Sequence, residues 1–472
     1  MDIYIRGCAP VNPQARGCAP VNPQARGCAP VNPHSSGVFT GCVHGPLAHN
    51  GCVHLSEKQK RAYDLMCKGE NIFLTGPGGT GKTHLLKLFS HEKKLYKNVG
   101  ITSTTGVSAL LINGTTLHSF LGINLGKEDA AMLYMRIKKK SYIVKRWKEL
   151  DVLIIDEISM LSPVLFEKLE SIARLIRKNE KPFGGIQLIL TGDFLQLPNV
   201  DMPNAFCFEA ESWNICVPNI VYLTDIFRQD DDGFKTILNE ARIDELSDES
   251  IKILKSRENV ELTNEAGIVP TKIYSLNVDV NRENEEALDR LVVENENLEF
   301  YEYKRIHMLM KKDLKFYDEK LNKFSSCVEN LQICVGAQVM LTINLDLDGG
   351  LVNGSRGIVE SFEDGMPVVK FLNGVSAFID YHEWIIEENG VNLMCITQIP
   401  LKVAYAVTIH KCQGMTLDCA EIDFNGIFEK SQGYVALSRV KTLGGLTIKN
   451  FDESKIFVNP KAKNFYEKLN NI

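Results

Sequence analysis

Short apolar runs alternate with amphipathic segments from Leu55 onward, which indicates a parallel α/β architecture. Three runs, at residues 71–75 (NIFLT), 152–155 (VLII) and 186–191 (IQLILT), have the continuous apolar character of buried parallel strands. Four more form a second set, at residues 220–224, 272–276, 403–409 and 446–449. Two sets of strands predict two lobes, each with its own sheet.

A different pattern lies within the second lobe. Residues 335–341 (VGAQVML), 357–362 (GIVESF) and 367–372 (PVVKFL) are short strand-like runs separated by turns rich in Gly and Asp. This spacing predicts a small antiparallel β-barrel inserted in the second lobe.

The first 54 residues have no apolar periodicity. RGCAPVNPQA occurs at positions 6 and 16, and RGCAPVNPHS follows at position 26. A ten-residue repeat rich in Pro and Gly cannot bury a core, so a disordered low-complexity tail is predicted. Cys42, His44, Cys52 and His54 offer a zinc-binding alternative. Their spacing matches no closed zinc module, and the duplicated tail is the favoured interpretation.

Composition excludes several classes of protein. The chain has 472 residues, enough for two or three domains, and 44% are apolar, so most of it is expected to fold. The net charge of −6 counts mildly against a nucleic-acid binder, although a basic groove can lie within an acidic surface. No apolar stretch suits a membrane span and the N-terminus lacks a secretory signal, so an intracellular protein, in cytoplasm or nucleus, with reduced cysteines is predicted.

The segment GPGGTGKT, at residues 76–83, is a full phosphate-binding loop between a predicted strand and an apolar helix-like run. Its glycines allow backbone N–H groups to face phosphates, and the helix N-terminus adds positive potential. Lys82 is expected to reach the β- and γ-phosphates of ATP, while the Thr83 hydroxyl binds Mg²⁺.

The segment VLIIDE supplies two carboxylates at the end of a buried strand. Asp156 is predicted to hold Mg²⁺ through water beside the phosphate loop, and Glu157 to polarise the attacking water. In TGDFLQLP, Gln196 is a candidate sensor of the γ-phosphate. Arg228 and Arg439 could stabilise charge in phosphoryl transfer, but singly each could also be a surface ion pair.

Eight segments in a fixed order resemble the motifs of the Pif (petite integration frequency) helicases of superfamily one. They are LSEKQKRAYD with Gln59, TTGVSALLINGTTLHSF, DEISMLSPVLFEKLESIARLIR, KPFGGIQLILTGDFLQLP, LTDIFRQ, VGAQVMLTINLDLDGGLVNGSRGIV, AYAVTIHKCQGMTLD and GYVALSRV. The resemblance covers most of residues 55–446.

The resemblance implies an α/β protein with two RecA-like lobes, a small wedge insertion in the first and an SH3-like β-barrel insertion in the second. The expected boundaries are a tail at 1–54, a first lobe at 55–230 with the wedge near 121–148, a second lobe at 231–332 and 399–472, and the barrel at 333–398. It also implies an ATP-dependent helicase that moves 5′ to 3′ on single-stranded DNA, with ATP and Mg²⁺ as cofactors.

Site residues follow by position in the matched motifs. For ATP hydrolysis the resemblance implies Lys82, Asp156, Glu157, Gln196, Arg228 and Arg439. For nucleotide binding it implies Gln59, Gly76, Pro77, Gly78, Gly79, Thr80, Gly81, Lys82, Thr83 and Gln413, with Thr83 and Asp156 as the metal ligands. For contact with the DNA strand it implies Thr105, His118, Ser119, Phe120, His410 and Lys411.

The expected partners are single-stranded and forked DNA, bound by a monomer, with a protein partner open for the N-terminal tail. The basic run at 138–140, followed by Lys145, Arg146 and Lys148, could meet duplex phosphates or be a solvated helix face. Three alternatives remain: an ATP-driven machine with no nucleic-acid substrate, an inactive scaffold, and a helicase that moves on RNA. The intact set of ATP-site residues counts against the scaffold.

Overall fold

The computed structural model describes residues 54–262, 268–295, 298–309, 328–343, 345–346, 349–351, 354–388 and 391–470. The repeat tail, with Cys42, His44 and Cys52 of the alternative zinc site, lies outside these ranges. The cysteines in the described ranges are free thiols. None of the helices in those ranges is long and apolar enough to cross a membrane.

The first lobe is built on a six-stranded parallel sheet in the order β3-β2-β4-β5-β1-β6. Its strands are β1 Ile72–Thr75, β2 Val99–Ser103, β3 Thr115–Thr116, β4 Val152–Asp156, β5 Gln187–Gly192 and β6 Asn219–Tyr222. Its helices are α1 Glu57–Lys68, α2 Lys82–Lys93, α3 Gly106–Leu111, α4 Leu117–Leu121, α5 Ala130–Lys138, α6 Ser141–Glu149, α7 Pro163–Arg177 and α8 Trp213–Cys216.

Alternate residues of the central strands enter two different cores. In β1, Phe73 packs in the cluster that contains α5, α6 and α7, whereas Ile72 and Leu74 pack in the cluster with α1 and α2. Successive side chains of a strand point to opposite faces of the sheet, so helices on both faces require a continuous apolar run. This confirms the prediction of buried parallel strands.

The pattern-based grouping is wrong for one strand. It predicts residues 220–224 in the second set, but β6 pairs with β1 in the first sheet, with Ile220 opposite Phe73. The pattern of apolar residues predicts that a strand is buried and how long it is, but it does not predict which strand lies beside it.

The second lobe contains a four-stranded parallel sheet in the order β18-β7-β19-β20. Its strands are β7 Thr271–Tyr274, β18 Ala406–Thr408, β19 Ala420–Asp423 and β20 Leu446–Lys449. The helices from this part of the chain onward are α9 Asp232–Ile243, α10 Asp248–Lys255, α11 Asn277–Glu294, α12 Ile409–Cys412, α13 Gln432–Leu437 and α14 Pro460–Asn470.

The inserted region is antiparallel, as predicted. Its strands are β8 Tyr301–Lys304, β9 Ile306–Leu309, β10 Asn330–Ile333, β11 Gln338–Leu341, β12 Arg356–Glu363, β13 Met366–Phe371, β14 Ser376–Phe378, β15 His382–Glu388, β16 Val391–Gln398 and β17 Leu401–Val403. They form sheets β14-β13-β12-β11-β17, β15-β16-β9 and β10-β8.

The predicted strand at 403–409 is divided between two sheets. β17 ends at Val403 and pairs with β11 of the insertion, whereas β18 begins at Ala406 and pairs with β7 of the second lobe. β8 and β9 lie in the range predicted for the second lobe, yet they pair with β10 and β16 of the inserted region.

The C-terminal helix α14 returns to the first lobe. Ala462 and Tyr466 are buried in the same core as Phe73, and the Tyr466 hydroxyl accepts a hydrogen bond of 3.0 Å from the Phe194 N–H. The Arg242 guanidinium of α9 lies 4.6 Å from the Tyr466 ring centroid and forms a buried ion pair of 2.8 Å with Asp193. These contacts tie the end of the chain to the carboxyl ends of β1 and β5.

Candidate active site and nucleic-acid interface

The phosphate-binding loop lies between the end of β1 and the start of α2. Gly79 and Gly81 have φ of +84° and +81°, and a Cβ on Gly79 would lie 2.5 Å from the Arg228 Cβ. Gly81 precedes α2 and no side chain caps that end of the helix, so its first N–H groups remain available to an anion. The loop therefore has the backbone conformation and the close packing that only glycine permits.

Lys82 contacts the loop itself. Its Nζ donates to the Gly76 carbonyl at 2.7 Å and to the Pro77 carbonyl at 2.8 Å. Burial lowers the pKa of Lys82 to about 8, while the carboxylates of Asp193, Glu157 and Asp156 act in the opposite direction. The ammonium is thus held at the phosphate loop in a cavity rich in carboxylates.

Asp156 ends β4 in a buried position beside the loop. Its Oδ1 accepts hydrogen bonds from the Thr191 hydroxyl and, at 2.9 Å, from the Glu157 N–H. Oδ2 has no hydrogen-bond partner among the described residues. Burial raises the pKa of Asp156, and the Thr191 hydroxyl is the largest opposing influence. A carboxylate with one oxygen fixed and the other open, near the Thr83 hydroxyl, is the hard oxygen donor set that Mg²⁺ uses together with phosphates and water.

Glu157 follows in the left-handed conformation, with φ of +56°. Its Oε2 accepts a hydrogen bond of 2.9 Å from the Gln413 Nε2, which belongs to the second lobe. Burial and the Asp156 carboxylate raise the pKa of Glu157 to about 7, while Lys82, Arg439 and the Gln413 amide oppose the increase. A non-glycine residue with positive φ is uncommon, and it aims this carboxylate across the cleft.

Two arginines from different lobes meet at Gly78. A Cβ on Gly78 would lie 3.3 Å from Nη2 of Arg439 and 3.4 Å from Nη1 of Arg228. Arg439 is 1% exposed and donates to the Val435 carbonyl and the Ser438 hydroxyl. Burial, together with the smaller effect of the adjacent Arg439, lowers the pKa of Arg228 to about 9. The alternative of a surface ion pair is wrong for Arg439, because it is buried and pairs with no carboxylate in the described ranges.

The remaining nucleotide-site candidates are placed differently. Gln196 is buried and lines the cleft, and its Nε2 donates to Asp193 at 3.4 Å. Gln59 is 4% exposed; its Oε1 accepts the Ser56 N–H and its Nε2 donates to the Thr80 carbonyl at 3.2 Å. Gln59 therefore supports the phosphate loop from beneath and closes the N-terminal capping box of α1.

The cleft between the lobes has a volume of about 640 Å³. The cleft is lined by residues 78–83 of the phosphate loop and by Asp156, Glu157, Gln196, Arg228 and Arg439, all of which the sequence predicts. It is also lined by residues that the sequence did not single out: Lys87, Ser108, Leu111, Phe227, Gly354, Ser355, Gly414, Met415, Thr416, Asp418 and Lys441. Phe227 lines this cleft with 59% of its side chain exposed. Several of these residues adjoin predicted ones in sequence, which was the available signal.

The four first-lobe residues that are expected to contact the DNA strand do not form one cluster. Thr105 follows the carboxyl end of β2, and its hydroxyl interacts with the Ser108 hydroxyl at 2.8 Å at the start of α3. His118 is mostly buried, and burial lowers its pKa. Ser119 occupies the first turn of α4, where its N–H donates to the Thr116 hydroxyl. Phe120 instead packs over Gly100, near the amino end of β2.

In the second lobe, His410 and Lys411 lie on α12, whose first turn is capped by the Thr408 hydroxyl. His410 Nε2 is 3.9 Å from the Glu429 carboxylate. Gln413 follows directly, so the segment that carries these two candidates also carries the amide that contacts Glu157. A displacement of this segment would therefore move the amide that contacts Glu157.

Comparison with known proteins identifies the family. The model of the PIF1-like helicase family matches residues 54–261, and the model of the 2B domain of DNA helicase Pif1 matches residues 319–362. The ATP-dependent DNA helicase PIF1 of Homo sapiens is 39% identical over 88% of this chain. This chain spans 64% of the length of that relative.

Two solved structures are also similar. The Pif1 helicase from Candida albicans is 34% identical, with a TM-score of 0.75 over 88% of this chain and 100% of that one. The Pif1 helicase from Bacteroides in complex with ADP-AlF3 and ssDNA is 28% identical, with a TM-score of 0.62 over 89% and 97% of the two chains. Because the chain is 34% identical to the Candida albicans helicase over the whole of that structure, and both family models match it, this chain belongs to the PIF1 family of helicases.

Proposed function

We propose that this chain is an ATP-dependent DNA helicase that moves 5′ to 3′ on single-stranded DNA and unwinds duplex DNA. The observation that carries the proposal is the convergence of Arg228 and Arg439 on Gly78. Two like charges held together at a phosphate loop need an anion between them, and arginine at the transferring phosphate accelerates phosphoryl transfer by about 10³–10⁵. Because Arg439 comes from the second lobe, hydrolysis depends on how the lobes close.

The geometry of the cleft supports the following roles within this proposal. Residues 76–83 hold the phosphates through backbone N–H groups and the Lys82 ammonium. Asp156 and Thr83 would hold Mg²⁺, which neutralises charge on the phosphates when bound. Glu157 takes a proton from the attacking water, and Gln196 senses the γ-phosphate. The exposed Phe227 ring is suited to stack on the adenine, and Gln59 supports the loop below it.

Coupling to DNA is assigned to two segments. Thr105, His118 and Ser119 in the first lobe, with His410 and Lys411 in the second, would contact the backbone of one strand. Hydroxyls and N–H groups hold phosphates without reading bases, which suits movement along any sequence. The Bacteroides Pif1 complex with ssDNA supports this choice of partner. The same proposal includes 5′-to-3′ movement, action as a monomer, forked DNA as the natural substrate, and the domain boundaries. We extend the inserted unit to include β8, β9, all of β10 and β17, because β9 and β17 pair with its strands and β8 pairs with β10.

The first experiment measures ATP hydrolysis with Mg²⁺, alone and with single-stranded DNA, single-stranded RNA or blunt duplex. Lys82→Ala removes the phosphate contact, and Lys60→Ala, at an exposed position of α1, is the matched control. Strong stimulation by single-stranded DNA that is lost only in Lys82→Ala supports the proposal. Unwinding of a 5′-tailed but not a 3′-tailed duplex then tests the direction.

Hydrolysis that no nucleic acid changes would favour the machine without a nucleic-acid substrate. Stimulation by RNA above that by DNA would favour an RNA track. The absence of hydrolysis in the wild-type protein, with nucleotide still bound, would favour the inactive scaffold.

A further inference from the structure

A pocket of about 520 Å³ lies at the amino edge of the first sheet, opposite the edge that carries the phosphate loop. Asn98, Val99 and Leu150, at or just before the starts of β2 and β4, form its floor. The turn after α2 and the exposed side of α6 form its walls. Asp156 lies at the carboxyl end of β4 and the phosphate loop follows the carboxyl end of β1, so this amino-edge pocket is separate from the proposed ATP cleft.

The pocket is strongly basic. Lys94, Lys97, Lys145 and Arg146 line it, against the single carboxylate of Glu149. That carboxylate already lies 3.9 Å from Lys145. Among the residues that the structure describes, neither Lys94 nor Lys97 forms an ion pair with a carboxylate. A protein with a net charge of −6 therefore concentrates unbalanced positive charge at one concave site.

Aromatic side chains stand among these cations. The Arg146 guanidinium lies 4.9 Å from the Phe120 ring centroid, and its Nη1 donates to the Phe120 carbonyl at 2.6 Å, so this cation is held in place. Tyr142 lines the pocket one helical turn before Arg146 on α6. Tyr96 adjoins the pocket in sequence, between Lys94 and Lys97, and is 80% exposed. Cations that bind phosphates, interleaved with rings on which bases stack, are the chemistry of single-strand binding without sequence preference.

We propose that the amino-edge pocket is a second binding site for single-stranded nucleic acid. It holds a segment of strand other than the one assigned to Thr105 at the carboxyl edge. Lys94, Lys97 and Lys145 contact phosphates, and Tyr142 and Tyr96 stack on bases. Phe120 serves this site by holding Arg146. The inference goes beyond the proposed helicase activity and does not depend on ATP hydrolysis.

Photo-crosslinking tests the site. The full chain is irradiated with a single-stranded oligonucleotide that contains 5-iododeoxyuridine, and the crosslinked peptides are identified by mass spectrometry. We expect crosslinks at Tyr142 or Tyr96. Their yield falls several-fold in Lys94→Ala/Lys97→Ala, because phosphate contacts dominate the affinity, and it remains unchanged in Lys252→Ala/Lys255→Ala, at exposed positions of α10. Tyr142→Leu, which keeps an apolar side chain, loses the crosslink at position 142.

Three results would overturn the inference: no crosslink at either tyrosine, an equal yield in Lys94→Ala/Lys97→Ala, or competition by blunt duplex as strong as by single-stranded DNA. DNA-stimulated ATP hydrolysis is measured on the same samples and is expected to be normal in both lysine variants. If single-stranded DNA does not stimulate ATP hydrolysis by the wild-type protein but the crosslinks still form, the proposed function is rejected and the second binding site is retained.

Discussion

The Nε2 of Gln413 donates a hydrogen bond of 2.9 Å to the Oε2 of Glu157 and thereby joins the second lobe to the carboxylate at the end of β4. The Oε1 of Gln413 is buried without a partner among the described residues. The amide nitrogen is therefore bonded to Glu157, whereas the amide oxygen is available to a group that enters the cleft. Gln413 immediately follows the segment of His410 and Lys411, so the amide lies between Glu157 and the segment that we propose contacts DNA.

Gln413→Ala should lower the rate of DNA-stimulated ATP hydrolysis. The variant removes the hydrogen bond that orients Glu157, so the rate at saturating single-stranded DNA should fall by about tenfold or more, as for the loss of an interaction made in the transition state. Nucleotide affinity should change little, because the phosphate loop is intact. Steady-state kinetics and nucleotide titration separate the two effects. Gln332→Ala, at an exposed position of β10, is the control, and an equal loss there would contradict the assignment.

Asp193→Asn should destabilise the protein by about 3–5 kcal/mol, because it leaves the Arg242 guanidinium buried without its counter-charge. Asp193 is 0% and Arg242 3% exposed, with 2.8 Å between them. Burial acts to raise the pKa of Asp193, but the Arg242 guanidinium outweighs it and holds the pKa below its usual value. The ion pair therefore stabilises the folded protein fully at pH values above the usual carboxyl pKa, and this stabilisation is lost as the pH falls through the lowered pKa.

Urea unfolding at neutral pH measures the effect of Asp193→Asn. The pair of Lys235 and Asp232 is the control: Asp232 is 94% exposed, and Asp232→Asn should leave the unfolding midpoint nearly unchanged. Equal midpoints for the two variants would show that the buried pair adds nothing to stability.

Arg356→Met should raise the KM for ATP more than it lowers kcat. Arg356 is 2% exposed at the start of β12, and it donates to the Thr271 hydroxyl at 2.8 Å and to the Cys419 thiol at 3.3 Å. These bonds fix the inserted strand to the second lobe directly beside Gly354 and Ser355, which line the ATP cleft. Steady-state hydrolysis provides the measurement. Arg282→Met, at an exposed position of α11, is the control, and an unchanged KM in Arg356→Met would reject a role for the insertion in the nucleotide site.

Lys402→Met should stabilise the protein at pH 7, and this gain should shrink as the pH rises. Burial lowers the pKa of Lys402 to about 8, and the neighbouring Lys411 adds to the shift. The unfolded chain keeps the ordinary pKa near 10.5, so between these values it binds more protons than the folded chain. The charged ammonium therefore costs stability below about pH 8, and the cost fades toward pH 10.5.

Thermal unfolding at pH 7 and pH 9.5 tests this dependence. Lys370→Met, at a position 48% exposed on β13, is the matched control and should show no such change with pH. A stability difference between wild-type and Lys402→Met that is the same at both pH values would contradict the expected titration.

The sequence by itself determined the features that depend on local chain geometry. A phosphate-binding loop needs a strand, a run of glycines and a helix start within a few residues, so GPGGTGKT carried its own structural context. The buried strands before Asp156 and Gln196 were equally readable, because helices on both faces of the sheet impose continuous apolar runs. The strand pattern predicted the two lobes and the antiparallel insertion, and the ordered motifs added the family.

Only the tertiary structure decided which distant residues meet. Contacts such as Gln413 with Glu157, Arg439 with Gly78, and Tyr466 with Phe194 join residues hundreds of positions apart, and no spacing along the chain predicts them. For the same reason, the sequence did not predict that β6 lies beside β1 or that Phe120 packs over Gly100 near the amino end of β2. Sequence pattern reports how deeply a side chain is buried and which element carries it, whereas the packing of those elements sets what each side chain touches.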